Sequence, residues 1–116
     1  MFSYHTSSYA KNKSHNIYVI ELSKAVLELK KFRLKNPDYV ESMPCVYVGL
    51  TGKSPQERFN QHKAGYKSSS IVKRFGLYLR PRQYQNHNPM TFYETSVMEF
   101  EKARRLRKKC WGVWVN

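Results

Sequence analysis

The chain has 116 residues, and its 21 Lys and Arg against 8 Asp and Glu give a formal net charge of +13 at neutral pH. This length suits one domain with its own core, and the charge points to a polyanionic partner, with nucleic acid as the leading candidate. No apolar run approaches the ~18 residues that span a membrane, no signal-peptide core is present and the two cysteines lack metal-ligand spacing, so we expect a cytoplasmic or nucleoid-associated protein with reduced, buried cysteines.

The first part of the chain predicts an arm, a strand, a helix and a second strand. Residues 1–15 are polar and lack periodicity, which indicates a flexible N-terminal arm ahead of a single domain over 16–116. β-Branched and aromatic residues predict strands over about 17–22 and 46–50. Between them, apolar residues at helical spacing predict a helix over about 23–35 that ends before a proline.

The stretch after the second strand carries a complete set of helix start and stop signals. Ser54 is a favoured N-cap, Pro55 suits the first helical position, and Glu57 completes a capping box. Gly65 suits the C-terminal end. These signals predict a helix over about 55–64.

The second half of the chain predicts two more helices, two more strands and a loop. Thr91 and Glu94 form a second capping box, which begins a long helix over about 92–109. The final residues, 111–116, are aromatic and β-branched, which predicts a strand that closes the sheet. The other predicted elements are a short helix over about 71–75, a short strand over about 77–79, and a loop over 80–90 that we expect to close over a ligand.

Two short motifs and the residues after them carry a resemblance to a known family. The first motif is Asn16-Ile17-Tyr18, and the second is Tyr47-Val48-Gly49. The second motif continues in the spacing Y-x-G-x-T-x6-R-x3-H-x2-G, through Thr51, Arg58, His62 and Gly65. The late helix adds Glu99, with Ala103 and Leu106 on the same face. In this combination the chain resembles the GIY-YIG nuclease superfamily over about residues 16–116.

The resemblance implies a small α/β (α+β) domain whose three- to four-stranded, mostly antiparallel sheet is flanked by helices. Three features depart from the family pattern. Asn16 replaces the first glycine, which we expect the fold to accept because Asn also enters left-handed backbone regions. The connection from Tyr18 to Tyr47 is longer than the family's hairpin loop and contains a helix. Cys110 stands where a helix-ending glycine is expected.

The resemblance also implies roles for five side chains in the hydrolysis of a phosphodiester. Tyr18 is the general base, with a pKa lowered by a metal and by cationic neighbours, and Tyr47 orients the water or the phosphate. Arg58 clamps the scissile phosphate, and His62 relays the proton or contacts a phosphate oxygen. Glu99 holds the divalent cofactor, for which Mg²⁺ is favoured because one carboxylate and several waters suit that ion.

Two of the implied assignments have weaknesses. Glu101 competes with Glu99 as the metal ligand, although only Glu99 shares the helix face of Ala103 and Leu106. Asn116 is the weakest match to the family's closing Asn, because the end of a chain frays and carries its own carboxylate.

We therefore expect a metal-dependent endonuclease that acts on nucleic acid, on DNA more than on RNA. The alternatives are a non-catalytic nucleic-acid-binding module on the same fold and an RNA-processing nuclease. Because 116 residues leave no separate targeting domain, we expect sequence selection to be low or to come from a homodimer, a partner protein or the arm. Six basic residues would hold the nucleic-acid backbone: Lys67, Lys73, Arg74, Arg104, Arg105 and Lys108.

Overall fold

Four strands form one sheet in the order β3-β1-β2-β4 within residues 12–116, which are the residues that the computed structural model describes. β1 pairs antiparallel with β2 and β3, and β4 joins β2 in parallel. The predicted small α/β domain with a mostly antiparallel sheet is therefore confirmed. The strands are β1 (Asn16–Leu22), β2 (Cys45–Thr51), β3 (Gly76–Leu79) and β4 (Gly112–Trp114), and the helices are α1 (Lys30–Lys35), α2 (Pro55–Ala64), α3 (Ser70–Phe75) and α4 (Phe92–Lys108), with 3₁₀ turns over Lys24–Glu28 and Pro81–Gln83.

The two central strands form the core of the domain. Residues 17–20 of β1 and 45–49 of β2 are buried without interruption, because α2 and α3 pack on β1 while α4 packs on β2. A continuous apolar run, rather than alternation, is what a strand covered on both faces requires. None of the helices within residues 12–116 has the length and apolar character needed to cross a membrane.

The helix predicted over 23–35 is broken, so the prediction of one continuous helix was wrong. Leu29 is extended, with φ −82° and ψ 119°, between the first 3₁₀ turn and α1. Val26 and Phe32 are both fully buried. A continuous α-helix would place these two side chains about 120° apart, so the break lets both face the core.

The predicted ends of α2 and the predicted start of α4 are confirmed. Ser54 and Glu57 form both hydrogen bonds of a capping box, and Gly65 is left-handed with φ 87°. Thr91 and Glu94 form the second box. The residue ranges of α2 and α4 therefore follow the capping signals closely.

The end of α4 places a cysteine in a glycine-like conformation. Cys110 has φ 68°, its N–H donates to the Arg107 carbonyl, and the next N–H, of Trp111, donates to the Leu106 carbonyl. This pattern is the Schellman motif, in which glycine is the common residue. Cys110 is only partly buried, so the prediction of two buried cysteines holds for Cys45 alone, and both are free thiols.

Two asparagine side chains bond to strand backbones and fix the segments around the sheet. Asn88, in the loop over 80–90, accepts from the Ile17 N–H and donates to the Ile17 carbonyl, at 2.9 and 2.8 Å. Asn36 bonds in the same way to both backbone groups of Val113 in β4, at 2.7 and 3.1 Å. The loop over 80–90 is therefore anchored to β1 at Asn88, and several of its residues line a cavity, while its closing over a ligand stays a prediction.

The N-terminal arm is only partly described. Residues 1–11 of the predicted arm over 1–15 lie outside the described residues. His15, in contrast, exchanges two backbone hydrogen bonds with Met90, at 2.9 and 2.8 Å. Backbone pairing of the domain therefore begins at His15, one residue before the predicted boundary.

Candidate active site

Strand register brings the two motif tyrosines together over a glycine. Tyr18 of β1 lies directly opposite Gly49 of β2, and Tyr47 is on the same face of β2 two residues earlier. The two phenol rings have centroids 6.0 Å apart. A Cβ on Gly49 would lie 2.6 Å from the Tyr18 Oη and 2.8 Å from Tyr47 Cε1, so only glycine leaves room for both rings.

Helix α2 adds a buried histidine whose tautomer follows from its hydrogen bonds. His62 is fully buried, and its Nδ1 accepts from the Ser69 backbone N–H at 3.1 Å. The neutral ring must then carry its proton on Nε2, which lies 2.9 Å from the Tyr18 Oη. His62 therefore donates to the Tyr18 oxygen, and Tyr18 keeps its own hydroxyl proton for another partner.

Burial sets the protonation states of this cluster. Desolvation, with the charge of Arg58 as a smaller cause, lowers the pKa of His62 to about 4, so the ring is neutral at physiological pH. Burial and the Tyr47 hydroxyl raise the pKa of Tyr18, and Arg58 only partly offsets them. Burial also raises the pKa of Tyr47. The side chains around Tyr18 therefore raise its pKa on balance, and the expected lowering would have to come from a bound metal ion.

Arg58 is held beside Tyr18 by the loop that follows α2. Its Nη1 donates to the Gln61 side chain at 3.1 Å and to the Tyr66 carbonyl at 3.3 Å. Its Nη2 donates to the Lys67 carbonyl at 2.6 Å. These bonds leave two of the five guanidinium N–H groups, one on Nη2 and the one on Nε, to face other partners.

Glu99, on α4, lies near enough to Tyr47 to affect its titration. Its charge raises the pKa of Tyr47, and partial burial raises the pKa of Glu99 itself. Within residues 12–116 the Glu99 carboxylate has neither a hydrogen-bond nor an ion-pair partner. It borders a cavity of about 400 Å³, which we call the Glu99 cavity and whose other lining residues are Asp38, Phe100, Ala103, Arg104, Arg107, Lys108 and Val115.

Glu101 lies elsewhere, as the helical spacing predicts. Its carboxylate forms an ion pair with Arg104 at 2.8 Å, and it lines a second cavity of about 620 Å³ together with Arg105. The ion pair and nearby cations lower its pKa. Of the two competing carboxylates, the one near Tyr47 is therefore Glu99.

The five residues that the resemblance singles out thus come from four separate elements. Ring contacts and a hydrogen bond join Tyr18, Tyr47 and His62, whereas Arg58 and Glu99 are linked to the tyrosines through their effects on the tyrosine pKa values. None of the other four residues lines the Glu99 cavity. Comparisons of the chain with protein-family models, with curated proteins and with solved structures gave no match. Function is therefore inferred from the geometry of this site and the spacing of its residues.

Asn16 causes no backbone distortion at the first motif. The positive φ angles within residues 12–116 belong to Gly65, Lys67 and Cys110, so Asn16 is an ordinary strand residue. It pairs with Thr51, and its side-chain amide donates to the Lys53 carbonyl at 2.9 Å. The expectation that a left-handed conformation would make Asn acceptable was wrong, because the position does not need one.

The six basic residues predicted to hold nucleic acid lie on α4, on α3 and in the segment after α2. Arg104 and Lys108 line the Glu99 cavity, whereas Arg105 lines the second cavity. Lys67 follows α2, and Lys73 and Arg74 are exposed on α3. Asn116, the doubtful match to the closing Asn, is exposed beyond β4.

Sequence reasoning missed several residues of this region. Asp38 and Arg107 line the Glu99 cavity, and neither was assigned a role from the sequence. The Ser69 N–H sets the His62 tautomer from a backbone position that carries no side-chain signal. The helix position of Arg107, on the Glu99 side of α4, was a signal that could have been used.

Residues 12–116 contain no group of three or more His, Cys, Asp or Glu side chains close enough together to share a metal ion. The lone Glu99 carboxylate, partly buried and without a partner, nevertheless suits a hard cation that keeps most of its water, as Mg²⁺ does. Glu99 is the residue that would hold such an ion, and Asp38 lines the same cavity.

Proposed function

We propose that this protein is a metal-dependent endonuclease that hydrolyses phosphodiester bonds, with DNA favoured over RNA, as the resemblance to GIY-YIG nucleases implies. The observation that carries the proposal is the cluster itself. Two tyrosines, an arginine and a histidine meet at one strand-helix corner, with an unpartnered carboxylate beside them. Glu99 is only partly buried and has no hydrogen-bond or ion-pair partner within residues 12–116, so its carboxylate is open to a ligand beside tyrosines whose pKa values are raised by burial, which favours a ligand-binding role.

Each side chain has a role that its contacts support. Arg58 would bind the scissile phosphate through the N–H groups that the loop leaves unused, and its fixed charge suits the oxygens that gain charge during attack. Tyr18 would first lose its hydroxyl proton to solvent and, as the phenolate, would then take a proton from the attacking water. His62 would donate through Nε2 to the Tyr18 oxygen and stabilise the phenolate.

The contacts of His62 favour neither of the two roles expected of it. A proton relay would need a free lone pair on the ring, but Nε2 carries the proton and Nδ1 is occupied by the Ser69 N–H. Direct contact with phosphate would need exposure, and the ring is fully buried. His62 would therefore be a positioning residue that acts through Tyr18.

Glu99 would hold the divalent ion, and Tyr47 would orient the water or the phosphate. When bound, Mg²⁺ would supply the positive charge that stabilises the leaving oxygen and counters the burial that raises the pKa of Tyr18. The ion would also give the Glu99 charge a partner that it lacks within residues 12–116.

A non-catalytic nucleic-acid-binding module is the second candidate. One observation favours it, which is that burial holds both Tyr18 and Tyr47 in the neutral form and so opposes a role as general base. The net charge of +13 serves either function. An RNA-processing nuclease would use the same five residues, so substrate tests must include RNA.

The test is cleavage of supercoiled plasmid and of structured RNA by the purified protein, in Mg²⁺ and in EDTA. We expect nicking of plasmid in Mg²⁺ by the wild type and by Glu101→Gln, and none in EDTA. Glu99→Gln should bind plasmid with the affinity of the wild type without nicking it. If the wild type binds both substrates but cleaves neither in Mg²⁺, Mn²⁺ or Ca²⁺, the proposed nuclease activity is contradicted and the non-catalytic binding module is favoured.

A further inference from the structure

An exposed apolar ridge runs along α4 beside the candidate active site. Tyr93, Val97 and Phe100 are 74%, 44% and 67% exposed. Their spacing of four and three residues places them, with Arg104, within about 60° of the helix circumference. The ridge therefore continues from aromatic and apolar side chains into a basic turn.

Residues of the ridge line both cavities of α4, and Phe100 is the ridge residue that lines the Glu99 cavity. Phe100 follows Glu99 in sequence and lines the Glu99 cavity. Tyr93 and Val97 line the second cavity. A large exposed aromatic ring thus borders the cavity that holds the proposed catalytic carboxylate, where a helix of a simple globular domain would present polar residues.

Charge identifies the kind of occupant. Arg104, Arg107 and Lys108 line the same cavity as Phe100, and the chain as a whole carries +13. A second copy of the chain would bring two strongly basic helix ends together, whereas a polyanion would be attracted. Phosphates beside the arginines would place the attached bases near Phe100, and a base stacks on an exposed ring irrespective of its sequence.

We infer that Phe100 stacks on an unpaired base, so that the substrate is nucleic acid with a single-stranded segment next to the scissile phosphate. In an intact duplex the bases stack on one another and offer no free face to this ring. A flap, gap, bubble or single strand offers one. This inference rests on the proposed function for the choice of substrate, but its own content is a binding preference that needs no cleavage.

The experiment measures binding in EDTA at fixed salt, with a labelled 20-nucleotide single strand, the matching duplex, and a duplex that contains a four-nucleotide gap. Phe100→Ala should weaken binding to the single strand and to the gapped duplex about tenfold and leave the intact duplex unchanged, because base-aromatic stacking contributes about 1–3 kcal/mol. Phe100→Trp should keep the affinity. Leu34→Ala is the matched control, since Leu34 is 69% exposed on α1, and it should change nothing.

Three results would overturn the inference. They are equal losses on duplex and single strand, no loss on either, or a concentration-dependent dimer of the wild type that Phe100→Ala abolishes, which would assign the ridge to a second copy. If the protein shows the stacking preference but never cleaves, the proposed nuclease activity is contradicted and the inferred binding mode is retained. A 2-aminopurine placed in the gap should also lose fluorescence with the wild type and not with Phe100→Ala.

Discussion

Two polar clusters border the central strands, one around Asn36 and one around Tyr18, and they differ in how well their polar atoms are satisfied. Arg107 bonds to Asn36 and also lines the Glu99 cavity. Around Asn36, the side-chain amide donates to the carbonyls of Phe32 and Val113 and accepts from the Val113 N–H and from Arg107. Around Tyr18, burial moves the pKa values of the tyrosines and of His62 away from their usual range. Nearby Glu99 has no hydrogen-bond or ion-pair partner within residues 12–116.

The difference indicates separate purposes for the two clusters. A polar group buried for structure is hydrogen-bonded, since an unsatisfied one costs about 1–3 kcal/mol. The Asn36 cluster, which we call the structural cluster, meets this rule. The cluster of Tyr18, Tyr47, Arg58, His62 and Glu99, which we call the site cluster, includes a carboxylate that is only partly buried and has no partner within residues 12–116, as expected of a group left open to a ligand. Substitutions in the two clusters should therefore affect different properties.

The largest effect is expected for Glu99→Gln. This change keeps the shape of the side chain and removes the charge, so cleavage should fall about 10³-fold or more while the free energy of unfolding stays within about 0.5 kcal/mol. The measurement is the single-turnover rate on labelled DNA, together with urea denaturation. Glu101→Gln is the control. A comparable loss of cleavage in Glu101→Gln would contradict the assignment of Glu99 as the metal ligand.

Gly49→Ala should nearly abolish cleavage by moving the rings of the site cluster. The new methyl group would meet Tyr18 and Tyr47 at distances under 3 Å, so both rings must shift, and a loss of about 10²-fold is expected from a displacement of this kind. Gly52→Ala is the matched control, because its Cβ would meet its nearest neighbour, His15 Nε2, at an ordinary 3.5 Å. Unchanged cleavage by Gly49→Ala would show that the tyrosine geometry does not matter.

Asn36→Ala should lower stability and leave cleavage nearly unchanged, the reverse of what is expected for Glu99→Gln. It would leave the N–H and carbonyl of the buried Val113 unpaired, which should lower the free energy of unfolding by about 2–3 kcal/mol. Cleavage measured well below the melting temperature should stay near that of the wild type. Asn60→Ala, which removes an exposed side-chain contact with Gln56, should change stability little. If Asn36→Ala loses cleavage without losing stability, the assignment of Asn36 to a purely structural cluster is contradicted.

The smallest effect is a change in the pH dependence of stability. His62 has a pKa lowered to about 4 in the folded protein against about 6.5 when unfolded, so the unfolded state binds more protons between these values. Its contribution to stability is fully present above about pH 6.5 and is lost as the pH falls towards 4. The urea midpoint of His62→Gln should therefore depend less on pH across this window than that of the wild type. Parallel curves for the two proteins would show that His62 is not held neutral.

Much of the fold follows from local signals in the sequence. The capping boxes at Ser54 and Thr91 and the glycine at position 65 fixed the ends of α2 and the start of α4, because these signals act within a few residues. The two strands followed from their β-branched and aromatic residues, and the motif resemblance placed Tyr18 and Tyr47 in one site. The helical register likewise favoured Glu99 over Glu101.

The remaining features depend on contacts between residues that are distant in sequence. Asn36 and Val113 are 77 positions apart, and no local pattern predicts that a side-chain amide will pair with that strand. The break at Leu29 exists because Val26 and Phe32 must both reach the core, which overrides helix propensity. The His62 tautomer depends on the Ser69 backbone, and the raised pKa of Tyr18 depends on how deeply the packed domain buries it.

The central claim is that the Tyr18 hydroxyl takes part in phosphodiester hydrolysis, and Tyr18→Phe tests it most directly. This substitution keeps the buried ring and removes only the oxygen that accepts from His62. The measurement is the single-turnover cleavage rate of labelled gapped DNA in Mg²⁺, with the dissociation constant measured for the same preparation in EDTA. The account predicts that Tyr18→Phe binds DNA like the wild type and cleaves it at least about 10²-fold more slowly. Cleavage by Tyr18→Phe at the rate of the wild type would contradict it.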